Sequence, residues 1–432
     1  MKRICWARAL SLLLAVLTLL SFASCKRISL VALPENLVAA YQRQATKALE
    51  EDEQLRRETI LTDYGWRLYG ELLGEVVPGE NQLFSPLSLE FALCMVANGA
   101  KGETRSEIER AIGLSVEELN ETLCGILERV ENCKFGTMLL ANSVWMKNDG
   151  SFTVKPEFLQ AVADYYNAQV YRAPLDATTC DQLNAWVKEY TKGMIPHLLD
   201  SIDPSTVMLL VNVLTFDQKW ETPYENSQVE KNQAFTNYDR SETKVTMLRS
   251  SETRYVEGYG FTGFIKSYEA DYDILFLLPD EGRDIYEAMG ALSGKEYAAI
   301  RLWRELSSEP FLPTASVKIP EFSYDCTYDD LIPPVARTGI ELAFNEENAD
   351  FSELGESSLG NIYIGMILQK THIELDRNGT KAAAATVIGM KNTAAMPTEV
   401  REVILDRPFG YVIFDRTTGT PLFLGITATI EN

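Results

Sequence analysis

Two histidines, His197 and His372, are all that 432 residues offer for imidazole chemistry. They lie far apart, neither sits in a motif, and each reads as a structural side chain held by a partner. No G-x-S-x-G turn, H-E-x-x-H pair or EF-hand loop supplies a nucleophile, a zinc site or a calcium site. Gly290, Gly294 and Lys295 have the wrong spacing for a phosphate loop, and Glu296 stands where a Ser or Thr would hold magnesium. Of seven cysteines, Cys5 and Cys25 belong to an export segment. Cys94, Cys124, Cys133, Cys180 and Cys326 form no C-x-x-C pair and read as small buried hydrophobes. The formal net charge of −22 is spread along the chain, which argues against nucleic acid or an anionic membrane surface as the main partner. The expectation is a protein that is not an enzyme and uses no cofactor and no metal.

The unusual stretch is Gly379 to Pro397, GTKAAAATVIGMKNTAAMP. Composition alone suits an alanine-rich helix or a surface loop. Period-two inspection separates two faces. One carries Thr380, Ala382, Ala384, Thr386, Ile388 and Met390. The other carries Lys381, Ala383, Ala385, Val387, Gly389 and Lys391, so both lysines share a face. Such a segment could enter a sheet with its small or apolar face inward. Fourteen residues from Thr380 to Thr393, at about 3.3 Å each, span roughly 45 Å. A compact chain of this length has a diameter of roughly 55 Å, so full entry would cross most of the body.

This stretch resembles the hinge and reactive loop of the serpin family, and collinear segments strengthen the resemblance from about residue 60 to residue 430. Asn81 to Ser88 resembles N-x-x-F-S-P-x-S, and Asn98 to Thr104 resembles G-A-x-x-x-T. Asn184 to Leu199, Val211-Asn212 with Phe216 to Trp220, Arg407-Pro408-Phe409, and Pro421 to Gly425 resemble further family blocks. The resemblance implies an α+β fold with three β-sheets, eight or nine helices and an exposed reactive-centre loop. It implies a suicide inhibitor: a target serine protease attacks the loop and forms an acyl-enzyme. The cut loop then inserts in the central sheet and traps the covalent complex before hydrolysis. The hinge would be Gly379, Thr380, Ala382, Ala383, Ala384 and Ala385, and the sheet-opening region Ser85, Ser88, Asn212, Gln369 and Trp220. A non-inhibitory carrier or binding module is the alternative.

Three positions depart from the family pattern. Arg377 and Lys381 replace expected glutamates near the hinge, and Gln369 replaces a histidine in the sheet-opening region. Counting forward from Gly379 places the reactive bond at Thr393 and Ala394, which suits elastase-like or subtilisin-like proteases. Counting back from Pro408 points near Pro397, so the loop is about four residues longer on its far side. Lys391 is the alternative reactive residue, for a trypsin-like target.

The elements that must hold this loop are legible from their patterns. Ser85, Pro86 and Ser88 open a helix through Ala97, and Thr104 to Ile112 form another. Met138 to Met146, Val207 to Phe216, Asp273 to Leu278 and Tyr411 to Phe414 read as strands, and a turn around Gly419 precedes a last strand from Pro421. Helices early and strands late favour α+β over a doubly wound sheet. Lys2, Arg3 and Arg8 before an apolar run make residues 1–24 a lipoprotein signal peptide. Cys25, after Ala23 and Ser24, would be lipidated, with ordinary secretion as the alternative. Residues 25–54 read as a tether and leading helix, and residues 55–432 as one domain. The expected molecule is a monomer, anchored by lipid on the extracellular side of the envelope of a bacterium.

Overall fold

The computed structural model describes residues 31–44, 46, 48–133, 136–148, 150, 152–307, 312–358, 360–380 and 399–431. One compact unit begins at Pro34 and runs to the C-terminus. The first long helix, α1 (Glu51–Leu73), starts four residues earlier than its apolar period suggests. Glu51, Asp52 and Glu53 occupy its first turn, where carboxylates favour the exposed amide groups and the helix dipole. The residues before it belong to the compact unit: Asn36 caps a short 3-10 turn, Val38 is buried, and Arg43 pairs with Glu131. The tether reading thus stops short of Pro34.

Helix α2 (Pro86–Ala97) is buried along its whole length. Ser85 caps it by accepting from the Ser88 amide, and Pro86 occupies the first turn, as its sequence predicts. α2 packs between two sheets, so the residues at its start are held against strands from both. The central sheet contains, in chain order, β1 (Thr137–Lys147), β2 (Gln169–Ala173), β3 (Met208–Lys219), β4 (Phe322–Tyr328), β5 (Met366–Asp376) and β6 (Gly379–Thr380). Its spatial order is β4-β5-β6-β3-β1-β2.

A second six-stranded sheet carries the terminal hairpin of Phe409–Asp415 and Pro421–Thr427, with Gly419 at φ +80° in its turn. A four-stranded sheet is built from Val229–Thr236, Glu242–Glu252, Thr314–Pro320 and Val400–Ile404. Two counts differ from what the resemblance implied. Ten α-helices are present among the described residues, because one-turn pieces such as Trp303–Leu306 and Ile332–Arg337 join the long ones. A two-stranded ribbon, Phe152–Val154 with Gly355–Ser357, adds to the three sheets. The α+β class holds.

Candidate functional site

The site is a fork in the central sheet. At one end β5 and β3 pair directly and in parallel, from Met366 with Leu209 to Gln369 with Asn212. At the other end β6 lies between them, Thr380 opposite Leu375 and Gln218, Gly379 opposite Asp376 and Lys219. Between these ends no rung joins residues 370–374 to residues 213–217 among the described residues.

The last direct rung is stapled to α2. The Ser85 amide donates to Gln369 Oε1 at 2.8 Å, and Gln369 Nε2 donates to the Ser85 carbonyl at 2.9 Å and to Asn212 Oδ1 at 3.1 Å. The Ser88 hydroxyl donates to the same Asn212 oxygen at 2.8 Å. All four residues are buried, so separating β5 from β3 here costs hydrogen bonds that water does not replace. Gln369 does what its amide allows, donating and accepting at once. It does not titrate.

The hinge end is anchored differently. Asp376 Oδ1 accepts from the amides of Asn378 at 2.7 Å and Gly379 at 3.2 Å, tightening the turn that leads into β6. Trp220 donates its backbone amide to the Asn378 carbonyl and its indole Nε1 to the Asp376 carbonyl, each at 2.9 Å. Its ring stacks on Tyr268, 4.6 Å between centroids, and the Tyr268 hydroxyl meets the Thr380 hydroxyl at 2.7 Å. Lys266, only 5% exposed, lies 5.4 Å from the Trp220 ring centroid and pairs with Glu252 at 3.0 Å. Trp220 therefore belongs to the hinge and not to the polar cluster at Gln369, since β5 runs about 20 Å between them.

Arg377, the first departure at the hinge, is accommodated. Its guanidinium donates to the Tyr224 carbonyl at 3.1 Å, its carbonyl accepts from the Tyr224 amide at 2.9 Å, and its amide donates to Glu321 Oε1 at 3.3 Å. Burial pushes the Glu321 carboxyl up from its ordinary value, and the Arg377 amide and guanidinium act in the opposite direction.

A family model described as serpin, serine protease inhibitor, matches residues 59–429. The chain belongs to the serpin family. It is 30% identical over 368 residues to the leukocyte elastase inhibitor of Bos taurus, covering 82% of this chain and 94% of that protein. The native-state structure of the thermophilic serpin tengpin matches with a TM-score of 0.82 at 32% identity, over 92% of this chain and all of that one. The latent-state structure of tengpin gives 0.73 at 31% identity, over 90% and all of that chain.

In this serpin the structure brings Ser85, Ser88, Asn212 and Gln369 together, and Gly379, Thr380 and Trp220 together at the far end of the fork. Ala382 to Ala385, Lys391, Thr393, Ala394 and Cys25 lie outside the described residues. Gly379 is required by contact: a Cβ there would sit 2.1 Å from the Gln218 carbonyl oxygen and 2.7 Å from Lys219 Cα. Gly379→Ala is expected to unseat β6 and lower stability by about 2 kcal/mol, read as a reduced midpoint in denaturant. An unchanged midpoint would show that the close approach is not needed.

Sequence reasoning passed over Tyr268 and Asp376. Tyr268 precedes the apolar strand Tyr272–Pro279 without a motif, and Asp376 looks like any turn acid. The two histidines are paired with acids, His197 with Asp200 at 3.0 Å and His372 with Asp325 at 2.6 Å. Glu296 closes a capping box with Ser293, which explains its place beside Gly294 without a phosphate. Of the five described cysteines, Cys94, Cys124, Cys180 and Cys326 are buried free thiols.

Proposed function

We propose that this serpin inhibits elastase-like or subtilisin-like serine proteases as a suicide substrate. The protease serine oxygen attacks the Thr393 carbonyl carbon, the Thr393–Ala394 peptide bond breaks, and Ala394 leaves as a free amine. Thr393 is then held as an ester on the enzyme. The freed segment enters the fork as a strand before water reaches that ester.

The observation that supports this reading most is the seating of Gly379 and Thr380 in register with both flanking strands. Carrying that register forward puts Ala382 between Ile373 and Phe216, Ala384 between Thr371 and Leu214, Thr386 between Gln369 and Asn212, and Ile388 between Ile367 and Leu210. Each of those flanking residues is buried, so the small and apolar face of the loop is the one turned inward. Through Ala385 the strand meets no direct β5–β3 rung. From Thr386 on, it must replace them one by one, beginning at the rung that Ser85 and Ser88 staple.

The relative that inhibits leukocyte elastase supports an elastase-like target, since Thr393 and Ala394 suit shallow pockets. Incubation with pancreatic elastase, subtilisin and trypsin, followed by denaturing gels and mass spectrometry, tests the proposal. The expected product is a denaturant-resistant adduct with the loop cut after Thr393. An adduct cut after Lys391 would move the reactive bond and favour trypsin-like targets, and clean cleavage without any adduct would favour a carrier.

We further place the mature protein on the extracellular side of the envelope as a monomer tethered through lipidated Cys25. Support comes from the sequence of residues 1–25. Incorporation of a fatty-acid analogue that depends on Cys25 is the expected result; a secreted, unlabelled chain would mean ordinary secretion.

A further inference from the structure

Three consecutive carbonyls of the turn that leads into β6 are taken by two aromatic residues just past β3. Trp220 donates its indole Nε1 to the Asp376 carbonyl and its amide to the Asn378 carbonyl, and the Tyr224 amide donates to the Arg377 carbonyl, all at 2.9 Å. Both rings face one cation. The Lys266 ammonium lies 4.6 Å from the Tyr224 ring centroid and 5.4 Å from that of Trp220. Lys266 stands on Phe261–Ser267 of the second six-stranded sheet, and its partner Glu252 ends Glu242–Glu252 of the four-stranded sheet. From Glu252 the contacts return to the aromatic pair. Glu252 Oε1, 3.0 Å from the ammonium, also accepts from the Ser250 hydroxyl at 2.6 Å, and that hydroxyl meets the Tyr224 hydroxyl at 3.3 Å.

Lys266, Trp220 and Tyr224 are all buried. Enclosing an ammonium costs folding energy even when it is paired, and a well-packed apolar residue of similar volume is often as stable or more so. The core therefore does not require a lysine here. What a cation adds is attraction to the faces of two rings at once, stronger where water is excluded. Those rings belong to the residues that hold the turn.

We propose that Lys266 is a positioning residue for the hinge. Held by Glu252, its ammonium clamps Trp220 and Tyr224 and through them seats the turn from Asp376 to Asn378; on the insertion reading above, this seating starts the strand in its correct frame.

The test compares wild type, Lys266→Met with Glu252→Gln, and Lys266→Arg by thermal midpoint and by amide hydrogen exchange over residues 219–224 and 376–380. The double variant removes both charges, so neither is left alone, and its midpoint is expected to stay within about 4 °C of wild type. Its Trp220 and Tyr224 amides are expected to exchange roughly tenfold faster. Lys266→Arg keeps the charge and can stack on both rings, and should stay within about threefold of wild type. Unchanged exchange in the double variant, or faster exchange across the whole chain with a fallen midpoint, would overturn the clamp. Equal exchange in both variants would assign the effect to lost packing and overturn the role of the charge. With elastase, the double variant is expected to raise the number of molecules cleaved per adduct by about threefold, because an unseated turn starts the strand late. No rise in that number would overturn the role in insertion. The two readings fail separately: wild-type adducts with unchanged exchange in the double variant leave inhibition standing without the clamp. The expected exchange, with no wild-type adduct under elastase, subtilisin or trypsin, leaves the clamp standing and removes the insertion it would serve.

Discussion

Under the proposed mechanism, Ala384→Arg is expected to turn this serpin into a plain substrate. In the hinge register, residue 384 arrives between Thr371 and Leu214, both essentially without solvent access. A guanidinium delivered there has no acid to meet, since the inward residues around it are Thr371, Ile373, Leu214 and Phe216. Burying an unpaired charge costs several kcal/mol. Even about 3 kcal/mol placed on the barrier slows insertion by roughly a hundredfold, while hydrolysis of the acyl-enzyme keeps its own pace. Loop cleavage by elastase should therefore continue at the wild-type rate and the adduct should vanish. Ala383→Arg is the control: its side chain comes out on the opposite face, between half-buried His372 and buried Thr215, and should cost less adduct than Ala384→Arg. Equal behaviour of the two variants would refute the assigned faces.

The second large effect is expected at Gln369. Replacing it by alanine strips three hydrogen bonds, leaves the Ser85 amide buried without its partner, and leaves the Ser85 carbonyl only the Leu89 amide at 3.4 Å. Each buried polar group left unmade costs about 1–3 kcal/mol, and that loss falls on the state in which β5 and β3 are still joined at the gate. Spontaneous insertion of the uncut loop on warming should accelerate by roughly tenfold to a hundredfold, read as loss of inhibitory activity with a gain in thermal stability. A rate equal to wild type would mean that the staple does not limit opening. In wild type, because an amide replaces an imidazole there, this rate should be flat between pH 5.5 and pH 7.5.

Much of this was legible before any coordinates, for identifiable reasons. The strands Met208–Lys219 and Phe409–Asp415 are rich in apolar residues because both of their faces are covered over most of their length. Ser85 announced a helix start because capping chemistry is local. The four-stranded sheet escaped notice: Val229–Thr236 reads VEKNQAFT, with charges where one side meets solvent, and its hydrophobic pattern breaks at a register shift. Glu90, in the middle of α2, could not have been placed from sequence, since nothing local says that a carboxyl will be fully enclosed. Burial, with the Glu58 charge adding to it, pushes that carboxyl well above its ordinary range.

The rung at Thr380 also acts as a reading frame. Once Gly379 is pressed against Gln218 and the Thr380 hydroxyl is held by Tyr268, every later loop residue is committed to one face or the other. By composition the alanine run looks freely shortened or lengthened. Deleting one alanine, however, would turn Val387 and Lys391 toward the core and Ile388 toward water, since a one-residue slip exchanges the faces. Under the proposed insertion, length changes on the inserting side are tolerable only in pairs. Past the proposed reactive bond a frame returns at Val400, where the strand pairs in parallel with Thr314–Lys318, so only extra residues between Ala394 and Val400 leave both registers untouched.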